Sequence, residues 1–356
     1  MAIGPQAIRR IVRPVTRLSR RAALQRIAAP LTLGALAPWP AHAQKLPPLR
    51  VGFISIIPMA QLFVMEGRGW TKEAGLSLIT KRFSSGPPMV DALEMGALDV
   101  AYVGIGPAML ARARGLDVKV VAANVVEQVA LVARGPLAAP GEDAPGDRFR
   151  NFRVAARRPA RIGTLPRGSV PDTVLRYFLE QVAKLSPGEV EIVGVGEDEV
   201  LRLLLEKSLD GASIVEPILS MALAHDPTAR IIAKPRQMMP YHPGAVVLVT
   251  RDVIKNNPTA VERLVALHIR ASAFARANPD VATNDIVEYL GRGLVDPTVI
   301  RRALTSEATQ LIADPHAIVA STRLLQEYEQ HLGSPAAQVD VDAMFDFSFF
   351  DAAIRR

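Results

Sequence analysis

At 356 residues, 49% of them hydrophobic and 22% charged, the chain has the length and composition of a globular protein with two domains or lobes and a large core. The formal net charge of +7 does not mark a nucleic-acid binder: seven of the 42 Lys and Arg fall in residues 1–43, which hold no acidic residue, so the remainder is neutral against its 35 Asp and Glu. With no cysteine, a disulfide framework, a cysteine zinc site, a cysteine nucleophile and a lipid anchor at a cleavage site are all excluded.

The seven arginines (Arg9, Arg10, Arg13, Arg17, Arg20, Arg21 and Arg26) open an export signal. A modestly apolar stretch follows over 27–41, and then Ala41-His42-Ala43 supplies small residues where signal peptidase cuts, so cleavage is expected after Ala43. The run Ser19 to Gln25 resembles a twin-arginine signal, with Ala23 and Gln25 in place of the usual Phe and Lys; the general secretory route is the alternative. An exported chain that is not a lipoprotein is expected in a periplasm. Beyond the leader no apolar run reaches the roughly 18 residues of a spanning helix. Even residues 118–132 are interrupted by Lys119, Asn124 and Glu127.

Short apolar strands then alternate with helical patterns, the mark of an α/β fold with largely parallel sheets. Strands are expected over 49–54, 76–83, 99–103 and 118–123, with helices over 59–67, 88–95 and 108–114 between them. Residues 134–161, rich in Pro, Gly and Arg, break the pattern and read as a boundary. A second α/β set follows, with strands over 161–165, 190–195, 212–215 and 229–233 and helices over 171–185, 198–207 and 217–224. A Pro-rich turn over 235–243, a strand over 245–250 and mostly helix complete the chain. LEMGALDVAYVG (93–104) echoes LEKSLDGASIVE (205–216), which supports two similar lobes.

Three turns set small residues ahead of a helix: Ser84-Ser85-Gly86-Pro87, Gly104-Ile105-Gly106-Pro107 and Gly168-Ser169-Val170-Pro171. Ser or Gly suits the cap and proline the first turn, where an amide proton has no partner within the helix. Each is either an ordinary helix start or, with its free amides and positive dipole end, part of an anion site. All three follow strands, and open parallel sheets bind ligands beyond the carboxyl ends of their strands. Asp172 stands at capping-box spacing from Ser169 and reads as structural. Glu216, before Pro217, either accepts a hydrogen bond from a ligand or caps the following helix. Arg167 reads as a solvated loop cation. Asn124, Glu127, Tyr241 and His242 lie near the expected crossings between lobes. Phosphate-loop, His-Glu-x-x-His and Gly-x-Ser-x-Gly motifs are absent, and the six histidines show no metal-ligand spacing. No cofactor, metal or enzymatic activity is expected.

The segments VGFISIIPMAQLFVMEGRGWTKEAGLSL, SSGPPMVDALEMGALDVAYVGIGPAMLARARG, GTLPRGSVPDTVLRYFLEQ, DGASIVEP and NNPTAVERLVALHIRASAFARANPD resemble, in order and spacing, the nitrate/sulfonate/taurine-type solute-binding proteins of ABC importers. The resemblance covers nearly all of the mature chain. It implies a type II periplasmic binding protein fold, with one lobe from 44–133 plus 245–356, a second from 134–244, and a two-segment hinge. Carried over by motif position, the ligand would meet Ser55, Ile56, Ser85, Gly86, Gly104, Gly106, Ser169 and Glu216. Gly168 belongs to the same turn as Ser169, and Asn124 and Tyr241 stand at the crossings. Residues 136–158 depart from the family's short leader into the second lobe.

On this reading the lobes close by hinge rotation around a small organic anion and deliver it to a permease in the inner membrane. Ile56 and Ile57 favour a ligand with some hydrocarbon, such as an alkanesulfonate, over bare nitrate. The chain is expected to be monomeric. The alternatives are a periplasmic ligand-sensing component, or a thiamine-pyrimidine-precursor binding protein or synthase relative. The synthase reading calls for a cytosolic chain and the cysteine-rich motif of fungal members, and this sequence has an export signal and no cysteine.

Overall fold

The computed structural model describes residues 46–141, 144–290 and 295–355; the signal expected over 1–43 lies outside the described residues. Two five-stranded sheets carry the fold. The first is built from β1 (Leu49–Phe53), β2 (Leu78–Arg82), β3 (Val100–Gly104), β4 (Val118–Ala123) and β11 (Ala245–Thr250), in the order β2-β1-β3-β11-β4. The second takes β6 (Ala130–Ala133), β7 (Ala160–Thr164), β8 (Val190–Gly194), β9 (Gly211–Ile214) and β10 (Arg230–Ala233), in the order β10-β6-β9-β7-β8. A small ladder joins β5 (Val125–Val126) to β12 (Gln310–Leu311).

Read from the opposite edge, the second sheet repeats the first: second strand, first, third, a strand from elsewhere in the chain, fourth. In each sheet only that inserted strand, β11 or β6, runs antiparallel to its neighbours. The echo between 93–104 and 205–216 has a structural basis, since its two halves end in β3 and β9, the third strand of each unit. Continuous apolar runs form the inner strands β3 and β11, and the edge strand β4 is apolar apart from Lys119; all three are buried along most of their length, because helices cover both faces of the sheet. The edge strands β2 and β8 are largely exposed.

Three expectations change. Residues 130–133 were assigned to the first lobe, yet β6 pairs with β9 from Ala130 opposite Ile214 to Ala133 opposite Gly211, so the chain crosses between sheets at 124–129. The stretch 134–161 holds a helix, Pro145–Ala156, whose apolar face is reduced to Phe149 and Phe152 among arginines. The helix expected over 171–185 is α-helical only from Val170 to Tyr177 and continues as a π turn over Phe178–Val182.

Gly211 shows how closely the second sheet is drawn together: a Cβ there would lie 2.5 Å from the Val132 carbonyl oxygen and 3.2 Å from Ile162 Cδ1. Gly211→Ala must push backbone apart in the middle of the sheet. The expected loss is about 1–3 kcal/mol, seen as a lowered urea midpoint with an unchanged slope.

Candidate functional site

Both crossings between the sheets run side by side. Residues 124–129 lead from β4 to β6, and 234–244 return from β10 to β11. Asn124 N–H donates to Ala245 O (2.8 Å), Gly244 N–H to Val125 O (3.1 Å) and Glu127 N–H to His242 O (3.0 Å). His242 is fully buried at this junction; its Nε2 accepts from Val129 N–H (3.1 Å) while Nδ1 meets Met239 O (2.7 Å). Burial drives its pKa down to about 4, so the ring is a neutral strut. Glu127 holds the return strand, accepting from Tyr241 N–H (2.8 Å) and from Gln310 Nε2 (2.9 Å). This two-stranded strap is the joint between the lobes.

At the carboxyl ends of β1, β3, β7 and β9 the lobes face one another across a cavity of about 20 Å³, the room of one or two waters. Ile54, Ile56 and Met59 line it from the turn after β1, Gly86, Gly104 and Pro107 from two helix starts of the first lobe, and Leu165, Ser169, Val170, Pro171 and Val215 from the second; Gln128 comes from the strap and Ala245 from the start of β11. The three helices are Gly86–Glu94, Ile105–Ala113 and Val170–Tyr177. Their first turns offer fewer donors than a helix start usually has. Pro87, Pro88, Pro107 and Pro171 bring no N–H, Ile105 N–H is spent on Gly244 O (2.9 Å), and Asp172 N–H on Ser169 Oγ (3.3 Å). The amides of Gly86, Gly106 and Val170 have no acceptor among the described residues. Among the described residues no charged side chain lines the cavity.

Of the residues singled out from sequence, Ile56, Gly86, Gly104 and Ser169 line this cavity. Gly106 and Gly168 (φ +82°) sit at its rim, pressed together across the lobes: a Cβ on Gly106 would lie 2.7 Å from Gly168 O. Ser85 is the buried cap residue of the Gly86 helix, without a side-chain capping bond. Ser55 faces the other lobe, its backbone amide close enough to the Glu197 carboxylate to favour the charged form. Asp172, read as structural, pairs with Arg176 (3.0 Å).

Three residues are placed elsewhere. Glu216 turns its carboxylate onto its own helix start, accepting from Ser220 N–H (2.9 Å) and Ser220 Oγ (3.0 Å), with burial raising its pKa; its backbone carbonyl accepts from Ile57 N–H (2.9 Å) across the lobes. Of the two readings left open for it, the cap is the one realised. Asn124 points into the first lobe, its Nδ2 bonded to Pro58 O (3.1 Å). Tyr241, in the left-handed region at φ +57°, is 61% exposed and lies under the Arg236 guanidinium, 4.6 Å from the ring centroid. The hairpin-like return of the strap forces that side chain outward.

Gln128, Met59, Leu165, Val170 and Val215 were missed, since isolated apolar residues in strand and helix runs carry no functional signal. Gln128 shares with Glu127 the polar break between Val126 and Val129, which marks a crossing without telling which of the two meets a cavity. A larger groove of about 580 Å³ lies between the end of the helix Val319–His331 and the chain from Arg176 through the π turn into β8. Several of its polar groups are already paired, Arg176 with Asp172 (3.0 Å) and Glu180 accepting from Tyr328 OH (2.9 Å) and contacting His331 Nε2 (2.7 Å). The cavity at the strand ends is therefore the candidate site.

The model of the NMT1-like family matches residues 42–290. The chain belongs to that family. A putative binding protein of Brucella abortus is 27% identical over 245 residues, 68% of this chain and 72% of that protein. The putative aliphatic sulfonates-binding protein of Bacillus subtilis is 25% identical over 324 residues, 87% of this chain and 89% of its own. Among solved structures, the periplasmic nitrate-binding protein of Synechocystis PCC 6803 superposes with a TM-score of 0.72 at 16% identity, covering 88% of this chain and 89% of that one. The fold is thus that of the periplasmic binding proteins. The relatives of this family member are solute-binding components of transporters rather than enzymes.

Proposed function

We propose that this protein is the solute-binding component of an ABC importer and captures a small organic anion with a hydrocarbon body between its lobes. The observation that carries the reading is the convergence of three helix starts, two from one lobe and one from the other, on a single cavity beside the strap. Helix dipoles and the amides of Gly86, Gly106 and Val170 supply the attraction for an acidic head, stronger in a dry cleft than in bulk water. Ile54, Ile56, Leu165 and Val215 supply an apolar wall. Ile56, Gly86, Gly104 and Ser169 are the predicted contacts. The strap lets the lobes part to admit the solute and close upon it, and the closed pair is what a membrane permease recognises. The leader over 1–43 is removed on export, leaving an unanchored periplasmic monomer.

A thermal-shift screen of the mature chain against alkanesulfonates, carboxylates, nitrate, bicarbonate and thiamine precursors tests this. A bound solute at about a hundred times its dissociation constant adds about 2.7 kcal/mol. Stabilisation by sulfonates or carboxylates is expected. Stabilisation by nitrate alone removes the hydrocarbon requirement, and no response to any organic acid removes the proposal.

A further inference from the structure

The strap is held by polar side chains, and nearly all of them are paired. His242 uses both ring nitrogens, Glu127 both carboxylate oxygens, and Asn124, although its Oδ1 is unpartnered, is anchored by its amide nitrogen on Pro58 O. Gln128 differs. Its side chain is 3% exposed, its Oε1 is fully buried with no hydrogen-bond partner, and its amide nitrogen makes no side-chain bond among the described residues. It lines the cavity. The other polar side chain in the lining, Ser169, already accepts from Asp172 N–H. An amide shielded from water and left unmatched is costly, and replacing it by an apolar group of the same shape would relieve the cost. A structural role for Gln128 therefore has no bond to support it, and its amide is unspent at the wall of the cavity.

We propose that Gln128 sets the specificity of the site, by requiring a solute that carries a hydrogen-bonding group such as a hydroxyl on its hydrocarbon body in addition to the acidic head. This rests on the small-organic-acid reading above. The acid is met by backbone amides at the helix starts and the body by aliphatic walls, so the strap amide is the element able to tell one hydrocarbon body from another. Polar readers of this kind discriminate against the analogue lacking the group, because binding it buries the amide unmatched.

Matched pairs test it by calorimetry: 2-hydroxyethanesulfonate against propane-1-sulfonate, and 3-hydroxypropanoate against butanoate, each exchanging a hydroxyl for a methyl. The parent protein is expected to bind the hydroxylated member of at least one pair more tightly by on the order of tenfold or more. Gln128→Leu should erase or invert that preference while keeping the thermal midpoint at or above that of the parent. Equal binding of both members by the parent overturns the role of Gln128 and leaves the organic-acid reading standing. A Gln128→Leu protein that weakens both members equally, or that melts well below the parent, shows a structural amide and overturns it too. Binding of no member of either pair overturns both readings.

Discussion

Gly106→Ala is expected to cost about ten- to a hundredfold in solute affinity while leaving the first lobe intact. The heavy atoms nearest the added methyl group belong to Gly168 and Ser169 of the opposite lobe, beginning with Gly168 O at 2.7 Å. That oxygen is backbone, held in a turn whose Gly168 already occupies φ +82°, so it cannot swing aside as a side-chain end could. Overpacking of this kind costs about 1–3 kcal/mol, and here the cost falls on closure because the clash exists only when the lobes meet. Affinity should drop accordingly, read by calorimetry with whichever solute the thermal screen identifies.

Gly104→Ala is the internal control. Its nearest cross-lobe neighbour is Val170 Cγ2 at 3.2 Å, a methyl that can move by a few tenths of an ångström, so a loss of less than about tenfold is expected. Equal affinities for the parent and Gly106→Ala would show that the solute-bound lobes do not approach at this rim, and the closure geometry would have to be abandoned.

Much of this arrangement is written locally. β3 and β11 are apolar runs because both faces of the sheet are covered, and the caps at Gly104 and Ser169 are small residues followed by proline, so strands, helix starts and their order can be read residue by residue. Which sheet a strand joins cannot be read in that way. Ala130–Ala133 is as apolar as the strands of the first sheet, and only its pairing with Gly211–Ile214 puts it in the second. The helix Pro145–Ala156 escaped because two phenylalanines three residues apart are its whole buried stripe apart from Gly146. Of the site, the helix starts carry a local signature, whereas Gln128 is defined by what it fails to bond, a property that exists only in three dimensions. The contact between Arg82 and Glu197 is 115 residues long in sequence and has no local pattern at all.

That contact makes solute affinity depend on pH. Glu197 opens the helix Glu197–Leu205 of the second lobe and is 3% exposed against the first. Its N–H donates to Ser84 O (3.2 Å), and its carboxylate accepts from Arg82 Nη2 (3.0 Å), with the Ser55 amide nearby and Oε2 unpartnered. Burial raises its pKa from 4.5 to about 7; Arg82 and the Ser55 amide pull it back, and neighbouring Asp198 pushes it further up. When the lobes part the carboxyl regains water and returns toward its ordinary value, so closure takes up a proton. Below about pH 4.5 the group is protonated in both states and its contribution to closure is fully present; that contribution is lost as pH rises through about 7. For an alkanesulfonate, whose own acid does not titrate in this range, affinity should fall on the order of tenfold or more between about pH 5 and pH 8. Calorimetry near pH 6 in two buffers of different ionisation heat should show the proton uptake directly. Glu197→Gln keeps the shape and removes the titration, so its affinity should be flat across the window and at least equal to the parent's at the alkaline end. A parent profile already flat from pH 5 to pH 8, with no proton exchanged on binding, would mean that Glu197 is as dry or as wet in the open lobes as in the closed ones, and closure would not run through this helix start.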